Sequence, residues 1–199
     1  MQLMWIKNMR VGSILLLISV FLAASCQSPQ KKAFVCAEDE NWEKRLSDEL
    51  PLLGHRNWIL VVDKAFPMPA KSEGFVIINS NEEPLKVLSK TIELISDQPH
   101  IQPLFHNDLE LNYIKEDWVE GVCAYRDELS KLIDDKNIKQ LPHDDIFEQF
   151  SDGGSRFRTV IIKTNGLIPY SSVFIELDCG YWNSSYEEVL RDSIKKRCD

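Results

Sequence analysis

At 199 residues the chain has room for one ordinary domain with attachments and too little for two comfortable ones. A hydrophobic fraction of 44% and a charged fraction of 27% support a packed core and argue against a disordered chain. The net charge of -8, with no basic patch interleaved with aromatics, speaks against nucleic acid as a partner, because acidic surfaces repel phosphate backbones.

Taken in order, the chain opens with Lys7 and Arg10, an apolar run over residues 11–22, and the small residues Ala23-Ala24-Ser25 before Cys26. That run has signal-peptide rather than membrane-spanning length. The segment resembles a bacterial lipoprotein signal, although a lipobox usually carries a larger apolar residue where Ala23 stands and Leu22 lies one place early. The expectation is a signal peptide over residues 1–25, lipidation of Cys26 as the mature N-terminus, and a domain anchored to a membrane of the bacterial cell envelope. Plain secretion or an uncleaved anchor also leaves the domain outside the cytoplasm. Cleavage removes Lys7 and Arg10 and no acid, which moves the net charge from -8 to about -10. Residues 26–33 read as a tether, 34–182 as the folded domain, and 183–199 as a C-terminal helical extension. Cys36, Cys123, Cys179 and Cys198 allow three pairings among which sequence does not choose. No CxxC or CxxH spacing supports a zinc site, and no metal or cofactor is expected.

Residues 41–53 place Trp42, Leu46, Leu50 and Leu53 at helical spacing, with Asn41 able to cap and Pro51 weakening the last turn. The continuous apolar run 58–62 predicts a strand buried on both faces, and 75–78 a second. Residues 83–95 read as a helix with Pro84 in its first turn. Residues 100–108 read as a loop, 109–114 as a strand through the alternation of Leu109, Leu111 and Tyr113, and 118–132 as a helix. A short helix over 144–150, a turn at 152–155, strands at 157–163 and 172–177, and a helix opened by a Ser184-Ser185-Tyr186-Glu187 capping box complete the chain. Strands followed by helices predict an α/β domain of three layers, with a central, mostly parallel sheet between helices.

The stretch 52–69 holds the candidate chemistry. Gly54 ends a helical segment, His55 follows, and Asp63 closes the next strand ahead of Pro67 and Pro69. Loops at strand ends are where such sheets hold reactive side chains on a rigid frame. His55 and Asp63 are therefore candidates for a catalytic pair. Read alone, His55 could merely complement a helix dipole and Asp63 could be a strand-end cap.

Two blocks carry a resemblance. Leu53-Gly54-His55 through Val62-Asp63 to Pro67-Met68-Pro69, and Glu148-Gln149-Phe150 through Val160-Ile161-Ile162 to Pro169-Tyr170-Ser171-Ser172-Val173, are similar in order and spacing to the ribose pyranase and fucose mutarotase (RbsD/FucU) family. The resemblance implies an RbsD-like α/β domain that forms homo-oligomers, binds a monosaccharide near subunit interfaces and interconverts its anomers without a cofactor. It implies His55 as general acid, with Asp63 and Tyr170 as sugar ligands. Ser172 occupies the place of a family Asn, and Phe147 the place of a His or Arg. A shift of one residue puts Glu148 there instead, and His143 lies one helical turn earlier as a substitute ligand or a surface loop histidine. Mutarotation needs one proton given to the ring oxygen and one taken from the anomeric hydroxyl, which a histidine titrating near neutrality supplies.

The reading that follows is an extracytoplasmic mutarotase. The departures at Ser172 and Phe147 keep two alternatives open: a non-catalytic sugar-binding lipoprotein, and an assembly protein whose oligomer matters more than its pocket. Trp58 and Trp118 are expected in the core, Phe66 in the core or at the pocket, Tyr170 as packing residue or ligand. His100 and His106 carry no motif and are expected to be solvated or locally hydrogen-bonded.

Overall fold

The computed structural model describes residues 41–68, 74–134, 136–154 and 157–198. The expected signal peptide, Cys26, the tether and Cys36 lie outside these residues. No helix among the described residues is long and apolar enough to cross a membrane.

The chain order is α1 (Trp42–Glu49), a 3-10 turn (Leu50–Leu52), β1 (Trp58–Val62), β2 (Phe75–Asn79), α2 (Pro84–Ser96), β3 (Ile101–Asp108), a second 3-10 turn (Leu109–Tyr113), α3 (Val122–Leu132), β4 (Ile138–Leu141), α4 (His143–Gly154), β5 (Thr159–Lys163), β6 (Val173–Cys179) and α5 (Ser184–Cys198). The six strands form one sheet in the order β2-β5-β1-β6-β3-β4. Every pairing is parallel except those of β6, which runs against both β1 and β3. Five strands thus point one way and one the other, the mostly parallel α/β sheet expected.

Strand alternation sorts the core into two layers. Ile59, Val61, Val160, Ile162, Val173 and Ile175 pack with Leu46 of α1, Leu88 of α2 and Leu129 of α3. Trp58, Leu60, Val62, Ile161 and Phe174 face the other way and pack with Phe66 and Ile146 of α4. All five residues of β1 are buried, as a strand covered on both faces requires. Burying a side chain such as Leu60 contributes about 2 kcal/mol, so β1 is the rigid spine from which both loop ends project.

Several local expectations change. The Asn41 cap holds, its side chain accepting from the Lys44 backbone, while Pro51 lies in a 3-10 turn rather than in α1. Residues 101–108 form the eight-residue strand β3, not a loop. Pro103 is accommodated because β4 pairs with β3 only from Phe105 onward, leaving that part of β3 with one neighbour. Residues 109–113 form a 3-10 turn rather than a strand. The Arg126 guanidinium takes the carbonyls of Leu111, Asn112 and Ile114, groups a strand would have offered to a neighbour. Helix α3 begins at Val122, not at 118, because Gly121 turns the backbone at φ 85° and Glu116 accepts from the Gly121 and Cys123 amides. Trp118, expected in the core, is 68% exposed under the Lys115 ammonium. Helix α4 is longer than expected and includes Gly153 and Gly154, which read as a turn in sequence. At α5 the cap is Asn183, which accepts from the Tyr186 amide, and Glu187 instead accepts from Trp182 and Arg191. Cys123 and Cys179 are free thiols.

Candidate functional site

The carboxyl ends of β1, β3, β4 and β5 and the start of the antiparallel β6 meet at one edge of the sheet. The register that pairs Val61 with Val173 brings Asp63, which follows β1, beside Ser172, which precedes β6. Ser172 Oγ donates to Asp63 Oδ2 at 3.2 Å and receives the Asp63 amide at 3.4 Å. The other carboxylate oxygen of Asp63 accepts from the Ala65 amide at 2.7 Å, closing the turn that starts the 63–68 loop. Asp63 is half-buried, with its position fixed by three hydrogen bonds.

A second pair stands at the same edge. His143, the first residue of α4, sets Nδ1 3.0 Å from Oδ1 of Asp108, the last residue of β3. Its backbone amide donates to both Glu110 oxygens, at 3.0 and 3.1 Å, so Glu110 acts as a cap on α4. Asp108 has a side chain 1% exposed, against 38% for His143. Burial pushes the Asp108 carboxyl up to about 6, the His143 contact opposes that, and the nearby Glu110 and Asp63 charges raise it further. The carboxyl therefore changes charge close to the range in which a histidine does.

Aromatic rings complete this edge. Tyr170 meets His143 edge-on at 5.2 Å, and its backbone is held in the left-handed region at φ 58°. Phe147 lies one turn along α4 from His143, with ring centroids 4.6 Å apart. It continues to Phe66 at 5.6 Å and Phe174 at 6.1 Å. The Tyr125 hydroxyl donates to the Ser171 carbonyl at 2.7 Å and fixes the 170–172 segment from the opposite face of the sheet. Burial and the Asp63 charge push the Tyr125 hydroxyl upward, so it stays protonated and donating.

The structure thus gathers Asp63, Ser172, Tyr170, Phe147 and His143, and holds His55 away from them. His55 precedes β1 and Asp63 follows it, so five strand residues, spanning roughly 16 Å, lie between them. His55 Nδ1 lies 2.9 Å from Asp178 Oδ1 near the end of β6, and Arg56 Nε donates to His55 Nε2 at 3.0 Å. That network makes Nδ1 the protonated nitrogen, donating to Asp178. Gln102 donates to the other Asp178 oxygen at 3.3 Å. Arg56 adopts φ 73° while its amide donates to the Leu177 carbonyl, which anchors the His55 turn to β6.

Neither Asp178 nor Asp108 carries a motif in the sequence. Each partners a histidine more than thirty residues away, and only strand pairing brings them together. His143 is no loop residue, since it begins α4. His106 is buried against Trp58 with Glu176 Oε2 at 3.6 Å rather than solvated, while His100 is locally bonded to the Leu53 carbonyl.

Comparison with protein-family models finds no match, and no curated protein matches the chain. Solved structures do. The structure of Bacillus subtilis RbsD complexed with D-ribose is 15% identical with a TM-score of 0.49, over 67% of this chain and 91% of that one. The fucose mutarotase in complex with L-fucose from Streptococcus pneumoniae is 17% identical with a TM-score of 0.47, over 70% and 94%. FucU from Bifidobacterium longum is 16% identical with a TM-score of 0.43, over 68% and 94%.

Proposed function

We propose that the chain binds a free monosaccharide at the carboxyl edge of its sheet and exchanges the anomers by acid and base catalysed ring opening. One observation carries the reading: Asp63, Ser172, Tyr170, Phe147 and His143 converge there from three separate parts of the sequence. A sugar has hydroxyls that need hydrogen-bonding partners and C–H faces that pack on aromatic rings, and this edge offers both. Asp63, oriented by the buried Ser172 hydroxyl, serves the sugar hydroxyls, while Phe147 and Tyr170 serve the ring faces.

His143 is the histidine this edge contains among the described residues, and Asp108 holds its ring. In the proposed step the His143 imidazolium gives its proton to the ring oxygen while the Asp63 carboxylate takes the anomeric hydroxyl proton. The hemiacetal C–O bond then breaks to leave the open aldehyde, and closure on the other face reverses both transfers. His55 enters as a second proton-transfer group only from a neighbouring copy. Its ring, oriented by Asp178 and half-exposed, would reach the Asp63 edge of another chain docked head to tail. Tethering outside the cytoplasm through Cys26 belongs to the same proposal.

Nuclear magnetic resonance exchange between anomers of ribose, fucose, galactose and glucose tests the reading, with His143→Ala and His55→Ala compared separately. Loss with both variants, and recovery on mixing His55→Ala with Asp63→Asn, selects a site shared between copies. Sugar binding without exchange selects a binding module. A stable oligomer with neither selects an assembly protein.

A further inference from the structure

We infer that α5 is a docking element for α5 of a second copy, packed antiparallel. The helix runs from Ser184 to Cys198, fifteen residues, and isolated helices of that length are marginal in water. Its local bonds are nonetheless in place. Asn183 caps its first turn, Glu187 ties Trp182 Nε1 at 2.9 Å to Arg191 Nε at 2.6 Å, and Lys195 approaches Asp192 at 3.9 Å.

What the helix lacks is cover. Tyr186, Val189, Leu190 and Ile194 recur at helical spacing, and they are 60%, 67%, 44% and 48% exposed. Trp182, 43% exposed and 5.7 Å from the Tyr186 ring, lengthens the stripe beyond the helix start. None of these residues belongs to either core layer. A contiguous apolar stripe left in water on an otherwise well-bonded helix marks an interaction surface rather than scattered surface hydrophobes.

Charge identifies the occupant. The first turns carry Glu187 and Glu188, and the last turn carries Lys195, Lys196 and Arg197. Two such helices laid antiparallel set the acidic start of each against the basic end of the other, and their macrodipoles also oppose. A parallel arrangement would stack like charges. An anionic lipid surface fits less well, because Glu187, Glu188 and Asp192 nearly balance the four bases and the excess positive charge sits at one end only. The contact is isologous and closes at two copies, so it adds a two-fold to whatever else the domain assembles into.

Light scattering coupled to size exclusion on the full chain tests this, with circular dichroism to confirm folding. The paired variant Leu190→Lys with Ile194→Lys, which sets like charges against each other across an antiparallel contact, is expected to halve the particle mass and raise the dissociation constant at least tenfold. Exposed positions are chosen, so the domain itself stays folded. Replacing Glu187 and Glu188 by Lys is expected to weaken association, and replacing Lys195 and Lys196 by Glu in the same chain to restore it. An unchanged mass for the Leu190→Lys, Ile194→Lys variant overturns the inference. So does α5-dependent binding to phosphatidylglycerol vesicles by a chain that remains monomeric. Neither outcome touches the sugar site, which lies elsewhere and is read by anomer exchange.

Discussion

His55 and Asp63 stand at opposite ends of β1, and each has found a different partner. Asp63 is bonded to Ser172 at the carboxyl edge, whereas His55 is bonded to Asp178 at the other end of β6. One antiparallel strand, β6, serves both ends of β1 at once, supplying Ser172 just before its start and Asp178 near its finish. A chain acting alone therefore has two histidine–aspartate pairs at opposite ends of the sheet, His55 with Asp178 and His143 with Asp108.

The Ser172 hydroxyl is the donor that orients the Asp63 carboxylate. Ser172→Ala is expected to cost about 1 kcal/mol of stability and to weaken sugar binding by roughly tenfold, since a charge-assisted hydrogen bond is lost and the carboxylate turns toward solvent. Calorimetric titration and urea unfolding measure the two effects separately.

Asp108 makes stability depend on pH. Its folded carboxyl titrates near 6, above its unfolded value of 3.8, so between those values the folded state holds a proton that the unfolded state has released. Stability from this group is present below about 3.8 and is lost as pH rises through 6, a change on the order of 3 kcal/mol. Asp108→Asn is expected to flatten that part of the profile, measured by urea unfolding at pH 4 and pH 7 beside the parent chain.

Much of this architecture is legible in the sequence because the signal is local. The apolar run of β1 comes through at the bounds expected, β5 and α2 come through within one or two residues, and α1 keeps its periodicity but gives up its last turn to the 3-10 segment Leu50–Leu52. β3 is hidden because Pro103 and four polar residues interrupt it, and its burial is supplied by β6 and β4 rather than by its own pattern. The alternation of residues 109–113 misleads, since Arg126 draws their carbonyls into a turn. The meeting of Asp63 and Ser172 at one end of the sheet accords with the order of the two motif blocks. The partner of His55 is hidden, because Asp178 lies far along the chain and only the antiparallel register of β6 on β1 brings it there.

Two glycines separate the motif from the fold. A Cβ on Gly180 would lie 2.7 Å from the Pro99 carbonyl oxygen and 3.0 Å from the Ile101 nitrogen, both backbone atoms that cannot swing aside. Gly180→Ala is expected to destabilise by about 1–3 kcal/mol through overpacking at the β3–β6 end. A Cβ on Gly54 meets nothing within 4 Å, so Gly54→Ala is expected to leave the melting temperature within a few degrees of the parent, although Gly54 belongs to the sequence motif and Gly180 does not. Thermal unfolding of the two variants side by side checks both.

The Tyr125 hydroxyl holds the Ser171 carbonyl from beneath the site. Tyr125→Phe keeps the ring and leaves that carbonyl unpaired, with an expected loss of about 1–2 kcal/mol in urea unfolding. The 170–172 segment loosens with it, so the sugar dissociation constant is expected to rise while Asp63 and His143 remain in place.

The proposed sugar chemistry stands or falls with the carboxylate of Asp63. Anomer exchange of ribose, fucose, galactose and glucose, followed by saturation transfer with the parent chain and with Asp63→Asn, tests it most directly. Acceleration of at least one sugar by the parent is expected, with at least a tenfold loss in Asp63→Asn and the fold intact. Acceleration that survives Asp63→Asn undiminished, or none with any of the four sugars, would contradict it.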